Sequence, residues 1–230
     1  MIRQLSLRNF KALRNNSIKF RPITVLAGIN SAGKSSVIQG LLLCKSAIEQ
    51  QINQSNASLI KMSVRGDYLR NWGSTNELLN TNADDSTIDI SIHTTDGEQT
   101  FRYDIDNRED FFNFRPQQSI QWNPALQYLH AERMGPRPYY EKSVNDDFFV
   151  GYKGEFAVAV LAKHGYTYNI DAHRRMPELD EENKKLRNNA IAWLNSIVPN
   201  TNLDTVNYPG SLVNVSYNNS FSAPNVGFGV

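Results

Sequence analysis

The strongest constraint on this chain is an eight-residue pattern, G-x-x-x-x-G-K-S, at residues 28–35. Gly28 and Gly33 allow the backbone to turn sharply and to approach a phosphate group closely. The loop amides can then surround a β-phosphate, Lys34 adds a positive charge, and the Ser35 hydroxyl can ligate Mg²⁺. The pattern therefore predicts a site for a phosphate-rich ligand with its magnesium ion.

The residues on either side of this loop support the same interpretation. Residues 23–27 are apolar and β-branched, which predicts a buried parallel strand. Apolar residues then recur at helical spacing to about residue 50, and the N-terminus of that helix would face the phosphates. The alternative, a glycine turn that binds nothing, does not account for this strand–loop–helix order. The predicted nucleotide contacts are Gly28, Asn30, Ser31, Ala32, Gly33, Lys34, Ser35 and Ser36.

Length and composition limit the class of protein. The chain has 230 residues, of which 40% are hydrophobic, enough for one sizeable domain or two small ones. It has no apolar run of about 18 residues and no N-terminal signal-peptide pattern, so we expect a cytoplasmic protein without a membrane span. The chain has one cysteine, Cys44, so an intrachain disulfide is excluded. Cys44 is expected to be a core residue on the apolar side of the helix after the loop.

Charge is distributed unevenly along the chain. The first 48 residues contain eight basic residues and no acidic one, whereas the remainder has 16 basic and 23 acidic residues. This asymmetry is consistent with a positive lobe that receives polyphosphate or nucleic acid. Solvated positions on alternating strands would produce the same count, with Lys34 alone dedicated to the ligand.

Other patterns predict the remaining elements. Two strands are expected at 2–10 and 17–26 around a turn at Asn15-Asn16, and alternating isoleucines predict a hairpin at 86–105. Residues 106–124 are expected to be loop and 126–129 a strand. A short helix is predicted at 154–163, with a strand as the alternative, a longer helix at 178–198, and a strand at 212–217.

Three segments together resemble a known family. Residues 7–13 and 23–36 resemble the N-terminal lobe of ABC-type ATPases of the SMC, RecF and Rad50 kind. Residues 128–137, YLHAERMGPR, are similar to the AERxGPR loop of a prokaryotic AAA-family group that includes ATPases of anti-phage systems such as Septu and some retrons. Residues 225–229 resemble the beginning of that group's signature loop.

The resemblance implies an α/β P-loop fold, an ABC-ATPase-like mixed sheet with an antiparallel β lobe and a helical insertion. It implies a P-loop core at 1–60, a β lobe at 61–125 that includes a γ-phosphate-sensing segment at 64–73, and a core strand with the insertion at 126–230, which ends at the signature-like loop. It further implies ATP and Mg²⁺ as ligands, a second copy of the chain that completes the ATP site, and a partner nuclease of the HNH type. Arg8, Phe10 and Lys11 would either border the base or α-phosphate or form an ordinary strand end.

One family motif is missing from this sequence. ATP hydrolysis requires an apolar strand ending in Asp-Glu, where Asp holds Mg²⁺ and Glu polarises the attacking water. No four apolar residues precede an Asp-Glu pair here, so no catalytic residue is assigned and the family's C-terminal half is expected to be absent. Glu132 is followed by Arg133 and Arg137, and this group is consistent with a buried ion pair or with a contact to a dimer partner or nucleic acid.

Four functions remain open from the sequence. The first is an ATP-binding lobe that switches a defence nuclease through dimerisation. A small-molecule kinase is disfavoured by the predicted hairpin at 86–105. A DNA-repair ATPase would require sustained heptads, which the sequence lacks. A non-hydrolysing scaffold with a structural nucleotide is the fourth.

Overall fold

The computed structural model describes residues 1–54, 57–64, 72–105, 110–116, 126–142, 148–218, 221–222 and 224. The chain forms two compact units, Met1–Leu126 and Gln127–Val230. The fold is α/β, as predicted, with antiparallel sheets and helices. Every strand pair in the described ranges is antiparallel.

In its described residues, the first unit consists mainly of a six-stranded sheet and one long helix. The sheet order is β2-β1-β4-β5-β6-β3. The elements in chain order are β1 (Ile2–Phe10), β2 (Leu13–Lys19), α1 (Lys34–Asn53), β3 (Ile60–Ser63), α2 (Thr75–Leu78), β4 (Thr87–Thr94), β5 (Glu98–Ile105) and β6 (Phe111–Phe114).

The sheet forms because its strands alternate apolar and polar residues, so that one face is buried. Leu5 and Leu7 of β1 pair with Ile92 and Ile90 of β4, and all four side chains are buried. The hairpin of β4 and β5 confirms the predicted element over 86–105, with its turn at Gly97.

Helix α1 lies on the buried face of this sheet and confirms the predicted helix. Leu43, Cys44 and Ile48 belong to the common core, so the expectation for the cysteine is also confirmed. A Cβ atom at Gly40 would lie 2.5 Å from Cδ2 of Leu7, so the helix and β1 approach each other closely at this position.

The expected turn between the first two strands and part of the loop expected at 106–124 are wrong. The turn between β1 and β2 lies at Lys11–Ala12 rather than Asn15-Asn16, because Lys11 takes a left-handed φ of 50° and its amide donates to the carbonyl of Leu78 at 2.8 Å. Within the range expected to be loop, β6 pairs with β3 and β5 and buries two aromatic rings, those of Phe112 and Phe114.

The described part of the second unit contains a four-stranded sheet and two α-helices. Helix α3 packs on the sheet, and Val213 and Val215 of β9 are buried. The elements are β7 (Tyr140–Glu141), α3 (Ala157–His164), a 3-10 helix at Ala172–Arg174, α4 (Leu186–Asn195), β8 (Leu203–Asn207), β9 (Leu212–Tyr217) and β10 (Phe221–Ser222).

The helix and strand predictions for this unit have mixed outcomes. Helix α3 and strand β9 are confirmed, whereas residues 126–129 form no strand. The helix expected at 178–198 begins only at Leu186, because Asp180 instead closes a turn. Its carboxylate accepts hydrogen bonds from the amides of Glu182 and Asn183 at 3.1 and 2.9 Å. In the described ranges, no helix is long and apolar enough to cross a membrane.

Candidate nucleotide-binding site

The loop between residues 28 and 33 has the backbone geometry that its glycines predict. Gly28, Ser31 and Gly33 have φ angles of 148°, 63° and 85°. A Cβ atom at Gly33 would lie 2.9 Å from Cδ2 of Leu13, so glycine is required there for both conformation and space. Sequence reasoning missed Leu13, whose role follows only from the packing of β2 beneath the loop.

Helix α1 begins directly after the loop. Gly33 is its N-cap residue and supplies no side-chain hydrogen bond, and the amide of Val37 donates to the carbonyl of Gly33 at 3.2 Å. The amides of the first turn precede this bond and have no carbonyl partner within the helix. The first turn contains no acidic residue. The start of α1 is therefore suited to bind an anion.

The ammonium group of Lys34 lies within the loop. Its Nζ atom donates hydrogen bonds to the carbonyl oxygens of Gly28 and Ile29, at 2.9 and 2.6 Å. The only charged side chain of the loop is thereby directed toward the same backbone that would surround a phosphate. Phosphate oxygens can replace these two carbonyls as acceptors.

The other predicted contacts differ in exposure. Asn30, Ser31, Ala32 and Ser35 are exposed, whereas Ser36 is buried. Ser35 therefore presents a hydroxyl that can ligate a metal ion, whereas the buried position of Ser36 favours a structural role for its side chain. The described residues contain no group of three or more His, Cys, Asp or Glu side chains able to hold a metal. The donor set fits Mg²⁺ held jointly by one hydroxyl and by phosphate oxygens.

A cleft of about 290 Å³ opens beside the loop. Its walls combine the loop with apolar side chains of β2, of residues 25–27 and of α1, among them Leu13, Ile18, Val25, Leu26 and Val37. The site thus joins polar phosphate-binding groups to an apolar wall, a usual composition of small-molecule sites.

The strand predicted before the loop does not form. Residues 23–27 have no strand assignment, and Ile23 and Val25 are 85% and 82% exposed. In the described part of the chain, no backbone hydrogen bond joins this segment to a strand. Without a neighbouring strand this segment cannot pair its amides in a sheet, although Leu26 packs partly against the core.

Arg8, Phe10 and Lys11 make structural contacts at the end of β1 in the six-stranded sheet. Phe10 is fully buried. Arg8 donates to Asp85 at 2.6 Å and to Asp89 at 2.9 Å, and these carboxylates raise its pKa. The ammonium of Lys11 lies 5.5 Å from the ring centroid of Trp72, and burial lowers its pKa. These contacts favour the ordinary strand end over a nucleotide contact.

The buried ion pair considered for residues 132–137 is wrong. Glu132 is exposed and accepts a hydrogen bond from Nζ of Lys153 at 3.1 Å, and this bond lowers its pKa. Arg133 and Arg137 are also exposed. Sequence reasoning missed Lys153, which lies 21 residues from Glu132 and is brought near when the amide of Met134 donates to the Lys153 carbonyl at 2.8 Å.

Two segments singled out by the resemblance lie largely outside the described residues. These are the γ-phosphate-sensing segment at 64–73, of which residues 65–71 are not described, and the signature-like loop at 225–229.

Comparison with known families agrees with the loop geometry. The family model of the AAA ATPase domain matches residues 1–208, most of the chain and the whole phosphate-binding loop. The chain belongs to the AAA ATPase domain family. A comparison with curated proteins finds no match. Family membership makes this chain a nucleotide-binding P-loop ATPase domain, and residues 28–36 of the AAA ATPase domain form its candidate nucleotide site.

Proposed function

We propose that this chain is the ATP-binding part of an SMC-like ATPase and that it binds Mg²⁺-ATP at residues 28–36. The observation that carries the proposal is the conformation of the loop. Its left-handed residues, the start of α1 and the Lys34 ammonium converge on one small region. Such convergence is what a triphosphate with several negative charges requires.

Each group in this region has a separate role. The amides at the start of α1 bind phosphate oxygens, and Lys34 exchanges its bonds to Gly28 and Ile29 for bonds to the β- and γ-phosphates. Ser35 holds Mg²⁺, which neutralises part of the phosphate charge. Gly33 keeps the loop close to β2, so that the phosphates meet backbone rather than side chain.

We further propose that nucleotide binding drives pairing with a second copy and controls an effector, for which an HNH nuclease in anti-phage defence is the candidate. Exposed apolar side chains beside the loop support an additional partner, because such patches mark interaction sites. Ile23, Val25 and Ile29 are each more than 80% exposed. A second chain at this surface would lie next to the bound triphosphate and could respond to it.

A non-hydrolysing scaffold is the second candidate. It is favoured by the lack of an apolar strand ending in Asp-Glu in the sequence. Under this alternative the nucleotide stabilises the fold or the assembly, and turnover is absent. The two candidates share the binding site and differ in the fate of the γ-phosphate.

Lys34→Ala tests the binding site. Calorimetric titration with ATP and Mg²⁺ should show binding by the wild-type chain and a loss of roughly a hundredfold or more in the variant, because a charge-assisted contact to phosphate is removed. Lys19→Ala, an exposed lysine of β2, is the matched control and should bind as the wild type does. Unchanged affinity in Lys34→Ala would remove the basis of the proposal.

Measurement of phosphate release separates the two candidates. The 230-residue chain alone is expected to release little phosphate from ATP, because it contains no acidic motif to activate water. Stimulation on adding an effector or a longer form of the protein would support the switching ATPase. Brisk Mg²⁺-dependent turnover by this chain alone would show that its own residues supply the catalytic acid.

A further inference from the structure

Asn80 is a buried polar residue that lies after helix α2, outside the phosphate-binding loop. Its side chain and its backbone both form hydrogen bonds to the turn between β1 and β2. We propose that Asn80 is a positioning residue of the nucleotide site and that it acts through the β1–β2 turn on Gly33. This role rests on the proposed binding of ATP at residues 28–36.

The β1–β2 turn requires support because of its backbone conformation. Asn9 and Lys11 have φ angles of 57° and 50°, in the left-handed region. This region brings Cβ close to the following carbonyl oxygen, a cost that asparagine tolerates better than lysine does. Such residues persist in a fold only where the surrounding contacts hold them. The position of the turn therefore depends on groups outside it.

Residues 78–80 supply these contacts. The amide of Lys11 donates to the carbonyl of Leu78 at 2.8 Å, and the amide of Asn80 donates to the carbonyl of Asn9 at 3.0 Å. In addition, Nδ2 of Asn80 donates to the carbonyl of Lys11. Asn80 thus bonds the carbonyls of both left-handed residues, one through its backbone and one through its side chain.

A local turn fixes the carboxamide of Asn80. Its Oδ1 accepts a hydrogen bond from the amide of Asn82 at 2.9 Å, and its carbonyl accepts one from the amide of Ala83 at 3.0 Å. A bond of the first kind is typical of asparagine in turns and orients the side chain. Because Oδ1 is engaged in this way, Nδ2 is the atom directed at Lys11.

The β1–β2 turn in turn lies against the phosphate-binding loop. A Cβ atom at Gly33 would lie 2.9 Å from Cδ2 of Leu13 and 3.8 Å from Cβ of Ala12. Leu13 also lines the cleft beside the loop, together with Gly33 and Lys34. Since Gly33 is the N-cap residue of α1, a shift of the turn would move the loop and redirect the phosphate-binding amides.

Titration of Asn80→Ala with Mg²⁺-ATP, at a temperature where the variant is folded, tests this role. The affinity should fall roughly two- to thirtyfold, the range for substitutions that act on a site through intervening contacts. Wild-type affinity in Asn80→Ala would overturn the proposal. Failure of the wild type to bind ATP would instead remove the proposed function, and the role of Asn80 with it.

Asn189→Ala is the matched control for the loss of a buried asparagine. Asn189 is 8% exposed, as is Asn80, and its Oδ1 accepts a hydrogen bond from the amide of Met176 at 2.7 Å. The control should lower the melting temperature and retain the wild-type affinity for ATP. An equal loss of affinity in both variants would mean that Asn80 contributes only to general stability, and would refute its positioning role.

Two further variants test the route from Asn80 to Gly33. Asn80→Asp keeps an acceptor for the amide of Asn82 but has no donor for the Lys11 carbonyl, so it should bind ATP as weakly as Asn80→Ala does. Leu13→Ala removes the contact with Gly33, and its loss should not multiply with that of Asn80→Ala in the double variant. Wild-type affinity in Asn80→Asp, or fully multiplicative losses, would exclude this route.

Hydrogen exchange tests the coupling in the wild-type chain, so it applies even if the variants fold poorly. Coupling between two sites is reciprocal, so saturating ATP should slow exchange at the amides of Lys11 and Asn80. The amide of Tyr208, which donates to the carbonyl of Leu212 in the second unit, is the control and should exchange at the same rate with and without ATP. Unchanged exchange at both Lys11 and Asn80 would contradict the coupling.

Discussion

The two sides of the phosphate-binding loop have similar apolar sequences but different environments. After the loop, α1 packs on the six-stranded sheet, and Ile48 is fully buried. Before the loop, Ile23 and Val25 are more than 80% exposed in a segment that pairs with no described strand. An apolar pattern in the sequence indicates which side chains favour burial. They are buried in the folded chain only where a neighbouring element packs against them.

Gly33 lies at the junction between the exposed segment before the helix and helix α1. The residue carries the left-handed turn at which the exposed segment ends and α1 begins. Close contact with Leu13 of β2 ties this junction to the six-stranded sheet. The loop is therefore anchored from the helix side, whereas Ile23 and Val25 on its other side are exposed.

Isoleucine-to-alanine substitutions before and after the phosphate-binding loop should show the largest difference in the free energy of unfolding. Ile48→Ala removes a buried side chain and should lower the free energy of unfolding by about 2–5 kcal/mol. Ile23→Ala is its matched control and should change this free energy by no more than about 0.5 kcal/mol, since its side chain is exposed. Urea unfolding of both variants measures the difference. A comparable loss in Ile23→Ala would mean that residues 23–27 are covered in solution.

Substitution at the junction should have an intermediate effect. Gly33→Ala imposes both a left-handed φ and a contact of 2.9 Å with Leu13, so it should cost more than the roughly 1–2 kcal/mol of the φ angle alone. Gly154→Ala provides the control, because Gly154 has a φ of 77° and no atom within 4 Å of its Cβ position. Thermal unfolding compares the two variants, and equal losses would show that Leu13 yields without cost.

Acidification should have the smallest of these effects. Hydrogen bonds from the Thr87 hydroxyl, Arg8 and the Thr87 amide lower the pKa of Asp85 to about 2. Because the folded-state pKa is lowered, the carboxylate stabilises the fold above about pH 4, and this stabilisation is lost as the pH falls toward 2. The contribution should stay below about 1 kcal/mol, since the group is largely exposed.

Melting temperatures of the wild type and Asp85→Asn over this pH range measure the contribution. The variant should be less stable at neutral pH and should lose less stability on acidification. Asp96→Asn, in the exposed β4–β5 turn, serves as control and should follow the wild-type curve. Parallel curves for wild type and Asp85→Asn would show that the carboxylate is equally stabilised in the unfolded chain.

Local rules account for the elements that were predicted correctly. The β4–β5 hairpin, α1 and α3 follow from apolar periodicity, and the phosphate-binding loop follows from its two glycines, Lys34 and Ser35. These features depend on neighbours within a few residues, which the sequence displays directly. The expected strand at 23–27 failed because its burial depends on a distant partner rather than on its own residues.

The errors in the second unit have the same origin. The start of α4 is delayed to Leu186 because Asp180 satisfies nearby amides through its carboxylate, which competes with helix formation. Glu132 pairs with Lys153 rather than with its neighbouring arginines, because the chain folds back between them.

The family, the phosphate-binding loop and the main helix can be predicted from the sequence alone, because they depend on residue types at short and regular spacing. The exposure of Ile23 and Val25, the position of Leu13 under Gly33 and the contact between the rings of Tyr139 and Tyr208 are visible only in the folded chain. Each of these outcomes depends on strand register or on a partner remote in the chain. The stabilising free energy of such contacts depends on which two residues meet in the folded chain, and the sequence pattern does not indicate which pairs will form.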